Sequence, residues 1–393
     1  MKFQILDYLR ALGVILVTYG HVMVYGTSNR PFLGPLADST ALFPPEFVYK
    51  AVFASFCNIG EIGVSVFFLV SGFLIMKSRL GKPVGVFLVR RLQRIYPIAV
   101  VGIILSYLAL MITNHYVTGT PLFPLFNRED VIALLTNSLL VNGMFPSSMD
   151  NPVFQTSIIV PTYWFLAVIV KYYILMCFIR NDRQESVLML ALILLVFSLS
   201  YTTFNNSDFL MGHPKFAQVC SDLAFSGHHI IYILVGCSIY LCYQEISSKR
   251  DSALNIKRIV GYCFTLLVLA GMFVLSFYSL KKIPNFPLPG DMLKNYFMSF
   301  CLFLFCLLIS HYVKKVPRFI QLISDTSFSV YVLHYSIAAC FLVALLRLDL
   351  FRENLLLLYA TVFSLTWVSG WLLYKLVEEP VGRLKIKLDR IKL

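Results

Sequence analysis

Two ionisable side chains stand eleven residues apart in the first apolar segment, LDYLRALGVILVTYGHV: Arg10 and His21. On an α-helix, eleven residues make three turns plus roughly 20° and a rise of about 16 Å, so both side chains lie along one face. A neutral imidazole can take up a proton near pH 7, and a guanidinium can hold an anionic group. The alternative is structural, with Arg10 as an anchor at the inner membrane surface and His21 as a hydrogen-bonded core histidine. The residues alone favour this alternative.

A second group of cations lies in the segment GVFLVRRLQRIYP, which contains Arg90, Arg91 and Arg94. On a helix the three arginines occupy the side opposite a stripe of leucine and isoleucine. This pattern predicts a short amphipathic helix at the cytoplasmic surface, ended by Pro97. Its arginines could clamp phosphate groups, because guanidinium suits anionic oxygens. They could equally anchor the helix among lipid headgroups, and the residues alone favour the anchor.

Three further apolar segments carry polar residues, which a membrane interior tolerates only for a reason. SVFFLVSGFLIM contains Ser71, and small residues allow helices to pack closely in membranes. In SDTSFSVYVLH, Ser327, Tyr331 and His334 follow each other at i, i+4 and i+7, which makes one polar stripe. WLLYKLVEEP contains Glu378, which could neutralise an inner arginine. In each case interhelical packing or pairing competes with a chemical role.

The composition indicates what surrounds these residues. The chain has 393 residues, of which 58% are hydrophobic and 13% charged, with a mean hydropathy of +0.77. A soluble domain carries roughly 25% charged residues, so the composition excludes a disordered chain and argues against a soluble enzyme. The nine cysteines lie mostly inside apolar runs and lack CxxC spacing. They indicate buried small side chains rather than a disulfide framework or a metal site.

The apolar runs predict an all-α polytopic membrane protein with about ten transmembrane helices. They lie at about Tyr8–Tyr25, Cys57–Met76, Ile95–Tyr116, Tyr163–Ile179, Val187–Phe204, Ala224–Tyr243, Ile259–Leu280, Met292–Tyr312, Ser327–Leu346 and Leu355–Val377. With the N-terminus inside, 22 of the 33 Lys and Arg residues fall in inner segments, nine in outer segments and two within spans. Cytoplasmic loops are enriched in Lys and Arg, so both termini are predicted to be cytoplasmic. The same asymmetry explains the net charge of +13 without nucleic acid.

We expect one membrane domain over residues 1–380 and a basic cytoplasmic tail over 381–393. The first apolar run is expected to be retained rather than cleaved as a signal peptide, since no A-x-A site follows it. Two long outer segments, Gly26–Phe56 and Thr118–Thr162, are rich in Pro, Asn and Ser, and Asp130–Phe145 within the second is predicted as a short apolar helix. Trp164 comes just after the end of the second outer segment, and its position fits an interfacial aromatic belt.

Six motifs in register resemble the acyltransferase 3 family of integral membrane acyltransferases. They are LDYLRALGVILVTYGH, GVSVFFLVSGFLI, FLVRRLQRIYP, PTYWFLAV, SFSVYVLH and YKLVEEP, and they cover nearly the whole chain. The resemblance implies a ten-helix domain that moves acyl groups, usually acetyl, from cytoplasmic acyl-CoA to carbohydrate hydroxyls on the far side. The chain resembles the stand-alone type without an outer SGNH hydrolase-like domain.

The sequence departs from the family pattern at two places. Ser65 stands where many members have an acidic residue before the FF of the second-span motif. The fourth span reads WFLAVI, where some members carry WSLAVE. Roles of those carboxylates therefore cannot be transferred, whereas the Arg-x10-His pair and the arginine cluster can.

The resemblance implies roles for the residues singled out above. His21 is expected to be the general base that takes the proton of the acceptor hydroxyl, or alternatively to carry the acyl group itself. Arg10 is expected to be the second catalytic residue, beside His21. The expected donor site consists of Arg90, Arg91, Arg94 and Arg10. Weaker expectations are acceptor contacts from Trp164, Ser71 and His334, and supporting roles for Asp7, Tyr331 and Glu378.

The expected reaction needs acyl-CoA as donor substrate and no tightly bound cofactor or metal. The expected acceptor is a carbohydrate or lipid-linked glycan, and the expected location is the bacterial inner membrane, with membrane lipids but no nucleic acid as partners. Two other classes stay open. A sugar or lipid transporter would also place polar residues near the midplane, although we find no repeat symmetry. In a non-catalytic scaffold, Arg10 and His21 would matter only for stability.

Overall fold

The computed structural model describes residues 4–27, 58–118, 161–179, 184–248, 256–284, 286 and 288–383. Ten helices form the body of the protein. They are α1 (Gln4–Thr27), α2 (Ile59–Arg79), α3 (Val84–Thr118), α4 (Trp164–Leu175), α5 (Gln184–Phe204), α6 (Pro214–Ser248), α7 (Ile256–Leu280), α8 (Met292–Ile309), α9 (Arg318–Leu345) and α10 (Leu355–Leu373). Two five-residue helices, Asp208–Gly212 and Asp349–Glu353, precede α6 and α10, and a 3₁₀ turn, Pro161–Tyr163, precedes α4.

The prediction of an all-α polytopic membrane protein is confirmed. Nine of the helices in the described ranges are long and apolar enough to cross a membrane. The fourth predicted span is shorter, because α4 has only twelve residues. Its rise is therefore about 18 Å, against about 30 Å of hydrocarbon. The predicted outer helix Asp130–Phe145, most of the two outer segments and residues 384–393 lie outside the described residues.

The arginine segment is where the structure departs most from the prediction. α3 runs for 35 residues without a break and includes both the arginines and the third span, with Pro97 in its interior. The predicted end at Pro97 is therefore wrong, and the arginines occupy the first three turns of a long helix. Proline is tolerated within membrane helices because neighbouring helices and local adjustments satisfy the freed backbone groups. α9 also begins earlier than predicted, nine residues before Ser327.

The helices pack around two central elements. α9 contacts α1, α3 and α10, while α2 contacts α1, α6 and α8. α6 in turn packs against α5 and α7, so α2 joins the two groups. The close approach of α2 and α6 depends on glycine. A Cβ on Gly72 would collide with the Ile233 carbonyl oxygen, and one on Gly236 with that of Leu69. Small residues let membrane helices approach closely, which is the role of these two.

A π-helical turn, Tyr374–Glu378, follows α10 directly. Such turns are rare and are found mostly within α-helices at functional sites. The turn contacts α3 and α9, which are the two helices that carry the arginines and the polar stripe. The fold therefore concentrates its irregular backbone next to its buried polar side chains.

Candidate functional site

Five of the described helices line a half-open cavity of about 120 Å³ beside the arginines. A buried water needs roughly 10–15 Å³, so the cavity has room for several waters or part of a ligand. Its polar lining residues are Arg10 of α1, Ser71 of α2, Arg91 and Arg94 of α3, Tyr173 of α4, and Ser327 and Tyr331 of α9. The structure thus brings together side chains that the sequence separates by more than 300 residues.

Three guanidinium groups give this cavity its charge. Arg10 and Arg94 come from different helices and interact electrostatically, as do Arg91 and Arg94. Like charges confined to one cavity are favourable only with anions nearby, which makes the cavity a suitable site for an anionic ligand. Arg90, which the sequence grouped with them, is not among the lining residues. Arg91 and Arg94 are three residues apart on α3 and both line the cavity.

Carboxylates compensate two of the three arginines. Arg10 Nη1 lies 3.9 Å from Asp7 Oδ1, and that oxygen also accepts a hydrogen bond from Ser324 Oγ at 3.3 Å. Arg94 interacts electrostatically with Glu378. Arg91 instead interacts with Tyr173 and Tyr172 and with the cations Arg94 and Arg10. Of the three cavity arginines, and within the described residues, Arg91 therefore has the least compensated charge.

Glu378 is held within the π-helical turn. Its carboxylate accepts a 2.5 Å hydrogen bond from Ser329 Oγ of α9. The neighbouring Glu379 forms ion pairs with Lys375 at 2.9 Å and Arg383 at 2.7 Å. The two adjacent glutamates therefore have different partners, since Glu378 accepts a hydrogen bond from α9 and Glu379 pairs with exposed cations. The supporting role of Glu378 stays a prediction.

Tyr331 forms part of the cavity wall and fixes its geometry. Its ring is buried, and its hydroxyl donates a 2.6 Å hydrogen bond to the Thr162 carbonyl oxygen, which ties α9 to the turn before α4. The ring contacts Phe165 at 5.1 Å and Phe67 at 6.2 Å between centroids. These three rings, which we call the aromatic layer, all line the cavity.

His21 lies further along α1 than Arg10 and than the point where Phe67 of the aromatic layer packs. Phe67 packs against Gly13, one turn of α1 beyond Arg10, and His21 follows two further turns along the same helix. The His21 ring is half-buried and lies 5.0 Å from the His334 ring and 5.6 Å from the Tyr335 ring, measured between centroids. The His334 ring contacts Tyr331 at 5.3 Å. The cavity and the imidazole pair therefore share a wall.

Of the remaining predicted residues, one lines the cavity and one does not. Ser71 lines it. Trp164 instead belongs to an aromatic cluster in which its ring contacts His229 at 5.0 Å and Phe225 at 5.5 Å. Among described residues, no group of three or more His, Cys, Asp or Glu could hold a metal ion. Eight cysteines there are free thiols.

Sequence reasoning did not identify Tyr173 as part of the site. Leu166, Ile169 and Tyr173 are spaced at i, i+3 and i+7 on α4, and all three line the cavity. That spacing defines one helix face, but an apolar face identifies a contact and not a ligand. Asp222 was also missed. It forms an ion pair with Lys171 on a different face of α4, which explains how Lys171 is accommodated within a span.

The architecture and the site define an integral membrane protein with a cationic cavity beside an imidazole pair, of which His334 is buried and His21 half-buried. The family profile described as an acyltransferase domain matches residues 3–375. The chain therefore belongs to the acyltransferase 3 family of membrane acyltransferases. Comparison with curated proteins and with solved structures gave no match.

Proposed function

We propose that the protein transfers an acyl group, most simply acetyl, from cytoplasmic acyl-CoA to a hydroxyl of a carbohydrate or glycoconjugate on the outer side of a bacterial plasma membrane. The observation that carries this proposal is the convergence of Arg10, Arg91 and Arg94 on a cavity whose aromatic wall contacts His334, the neighbour of His21. This arrangement suits a donor that is anionic at one end and reactive at the other.

The donor is proposed to bind with its phosphates at the arginines. Charge-assisted hydrogen bonds to phosphate are stronger than neutral ones, and arginine offers a planar fork that matches phosphate oxygens. Arg91 has the least compensated charge, so we assign it the principal phosphate contact. Arg94 and Arg10 are partly neutralised by Glu378 and Asp7, and we assign them to orienting the donor.

The transfer is proposed to take place at His21. A ring nitrogen of His21 takes the proton of the acceptor hydroxyl as the oxygen attacks the thioester carbonyl carbon. The new C–O ester bond forms, the C–S bond breaks, and the CoA thiolate receives the proton back from the imidazolium. The products are the acylated acceptor and CoA thiol. An acyl-histidine relay would pass through the same residue, with the acyl group held on His21 between two transfers.

The test uses inside-out membrane vesicles, so that the cytoplasmic face is accessible to added donor. Vesicles that contain the protein and its native glycans are incubated with acetyl-CoA radiolabelled in the acetyl group. We expect label in the glycan fraction and release of an equal amount of CoA thiol. His21→Ala should abolish both. The matched control is His311→Ala, because His311 is exposed and contacts only Tyr312 among the described rings.

The same experiment separates the competing classes. A transporter or a scaffold would release no CoA thiol from the wild-type protein, and the acyltransferase proposal for this donor would then be wrong. Thiol release with label that stays outside the glycan fraction would refute the proposed acceptor class but not the donor. Full activity of His21→Ala would exclude both mechanisms that assign the reaction to His21.

A further inference from the structure

The second imidazole of the pair, His334, has an unusual environment. It is fully buried on α9, and its Nδ1 lies 2.6 Å from the Tyr331 carbonyl oxygen. A carbonyl oxygen only accepts hydrogen bonds, so Nδ1 must carry the proton and donate. In the neutral ring, Nε2 then holds a lone pair. That nitrogen is buried and has no hydrogen-bond partner among the described residues.

Buried polar atoms without partners are rare in proteins, and each calls for an explanation. His21 provides one, because the ring centroids are 5.0 Å apart with a 53° angle between the planes. At this separation, rotation of the half-buried His21 ring can bring one of its nitrogens within hydrogen-bond distance of His334 Nε2. The Tyr335 ring also packs against the His21 ring, in a T-shaped arrangement with centroids 5.6 Å apart.

We propose that His334 is a positioning residue that fixes which nitrogen of His21 carries the proton. His334 Nε2 would accept the N–H of His21, so that the other His21 nitrogen presents its lone pair to the acceptor hydroxyl. After proton transfer, the imidazolium keeps its hydrogen bond to His334. This is the task that a carboxylate performs for histidine in hydrolase triads. A neutral imidazole performs it without adding a charge to the membrane interior, where an unpaired carboxylate is costly.

This inference rests on the proposed function and replaces an acceptor contact as the role of His334. The test compares His334→Leu with His334→Asn. Leucine fills space but cannot accept a hydrogen bond, whereas the side-chain oxygen of asparagine can. We expect His334→Leu to lower kcat by about 10²-fold or more, in the range observed when a histidine loses the partner that orients it. The KM for acetyl-CoA should change less than about twofold, because His334 is not a lining residue of the cavity.

Asparagine should restore at least about tenfold of the kcat lost with leucine. Thermal stability provides the structural control. His334→Leu loses the hydrogen bond from Nδ1 to the Tyr331 carbonyl oxygen, so its unfolding temperature should fall only by the amount that one hydrogen bond contributes, and far less than its activity. A merely structural role predicts the opposite order, with leucine at least as active as asparagine or with activity falling in step with stability. Either of those results would overturn the inference.

A second measurement does not require turnover. In protein labelled with ¹⁵N-histidine, the ring-nitrogen shifts report the tautomer of each imidazole, and the His21→Gln spectrum assigns the His21 signals. We expect one dominant His21 tautomer in the wild type and in His334→Asn, and a mixture or the other tautomer in His334→Leu. An unchanged His21 tautomer in the leucine variant would contradict the positioning role, even if the wild type transferred no acyl group and the proposed function were therefore wrong.

Discussion

Removal of the Arg91 guanidinium is the change that most directly probes the proposed donor site. Arg91 lines the cavity, and within the described residues no carboxylate is among the groups that act on its charge. A hydrogen bond to a charged group contributes about 1.5–3 kcal/mol, and about 1.4 kcal/mol corresponds to a factor of ten in affinity. Arg91→Gln should therefore raise the KM for acetyl-CoA by about 10- to 150-fold.

Comparison with neighbouring arginines sharpens this prediction. Arg94 remains partly exposed and interacts with Glu378, so Arg94→Gln should raise the KM by about tenfold or less. Arg91→Lys should recover only part of the loss, because lysine keeps the charge but loses the planar fork. Arg318→Gln is the matched control, since Arg318 is exposed at the start of α9 and does not line the cavity.

The donor itself provides the decisive assay. Initial rates of thiol release are measured with acetyl-CoA and with acetylpantetheine, which carries the same thioester but no phosphate. If Arg91 binds phosphate, its replacement should matter for acetyl-CoA and leave the KM for acetylpantetheine unchanged. An equal loss with both donors would mean that Arg91 maintains the fold or the cavity. An unchanged KM for acetyl-CoA in Arg91→Gln would refute the phosphate assignment altogether.

Three further perturbations follow from named contacts. Rapid denaturation at neutral pH of the protein mixed with labelled acetyl-CoA, without acceptor, should leave label on the wild type and none on His21→Ala if an acyl-histidine forms at His21; the same amount of label on both would contradict that intermediate. Asp7→Asn removes the carboxylate beside Arg10 and should destabilise the protein by about 2 kcal/mol, seen as a lower unfolding temperature in detergent; an unchanged temperature would contradict a supporting role. Gly72→Ala should sharply reduce the yield of folded protein because its Cβ meets backbone, whereas Gly261→Ala, with no atom within 4 Å, should fold normally; equal yields would contradict close packing of α2 and α6.

The sequence predicted much of this site because the bilayer makes polar residues conspicuous. Arg10 and His21 were paired by helix geometry alone, and a helix over Gln4–Thr27 carries both. The arginines of α3 were identified by their charge. Their grouping with Arg10 was expected from the family resemblance. The packing of α1 and α3 against α9 that brings Arg91 and Arg94 to Arg10, and leaves Arg90 outside the cavity, is encoded by no local spacing.

Some features were missed for a different reason. Proline within α3 was taken as a helix end because soluble helices seldom continue through one. In the membrane interior no water is present to hydrogen-bond the backbone groups that a broken helix would expose. A helix therefore continues past a proline where neighbouring helices satisfy the freed groups. His334 was predicted as a weak acceptor contact on the basis of the polar stripe. The unpartnered Nε2 and the proximity to His21 emerge only once α1 lies beside α9.

The aromatic layer suggests how binding of charge and transfer of protons are kept apart on the proposed function. Phe67, Phe165 and Tyr331 line the cavity together with the arginines, and Tyr331 contacts His334 of the imidazole pair. A phosphate that passed this layer would lose its guanidinium partners in a medium where an unpaired charge is costly. The pantetheine arm carries no charge, and about 16 Å of helix rise separates Arg10 from His21, a distance that an extended arm can cover. The nucleotide would therefore remain at the arginines while the thioester alone reaches His21. On the proposed function, this separation would let an acyl group cross the membrane interior without the charged part of its carrier following it.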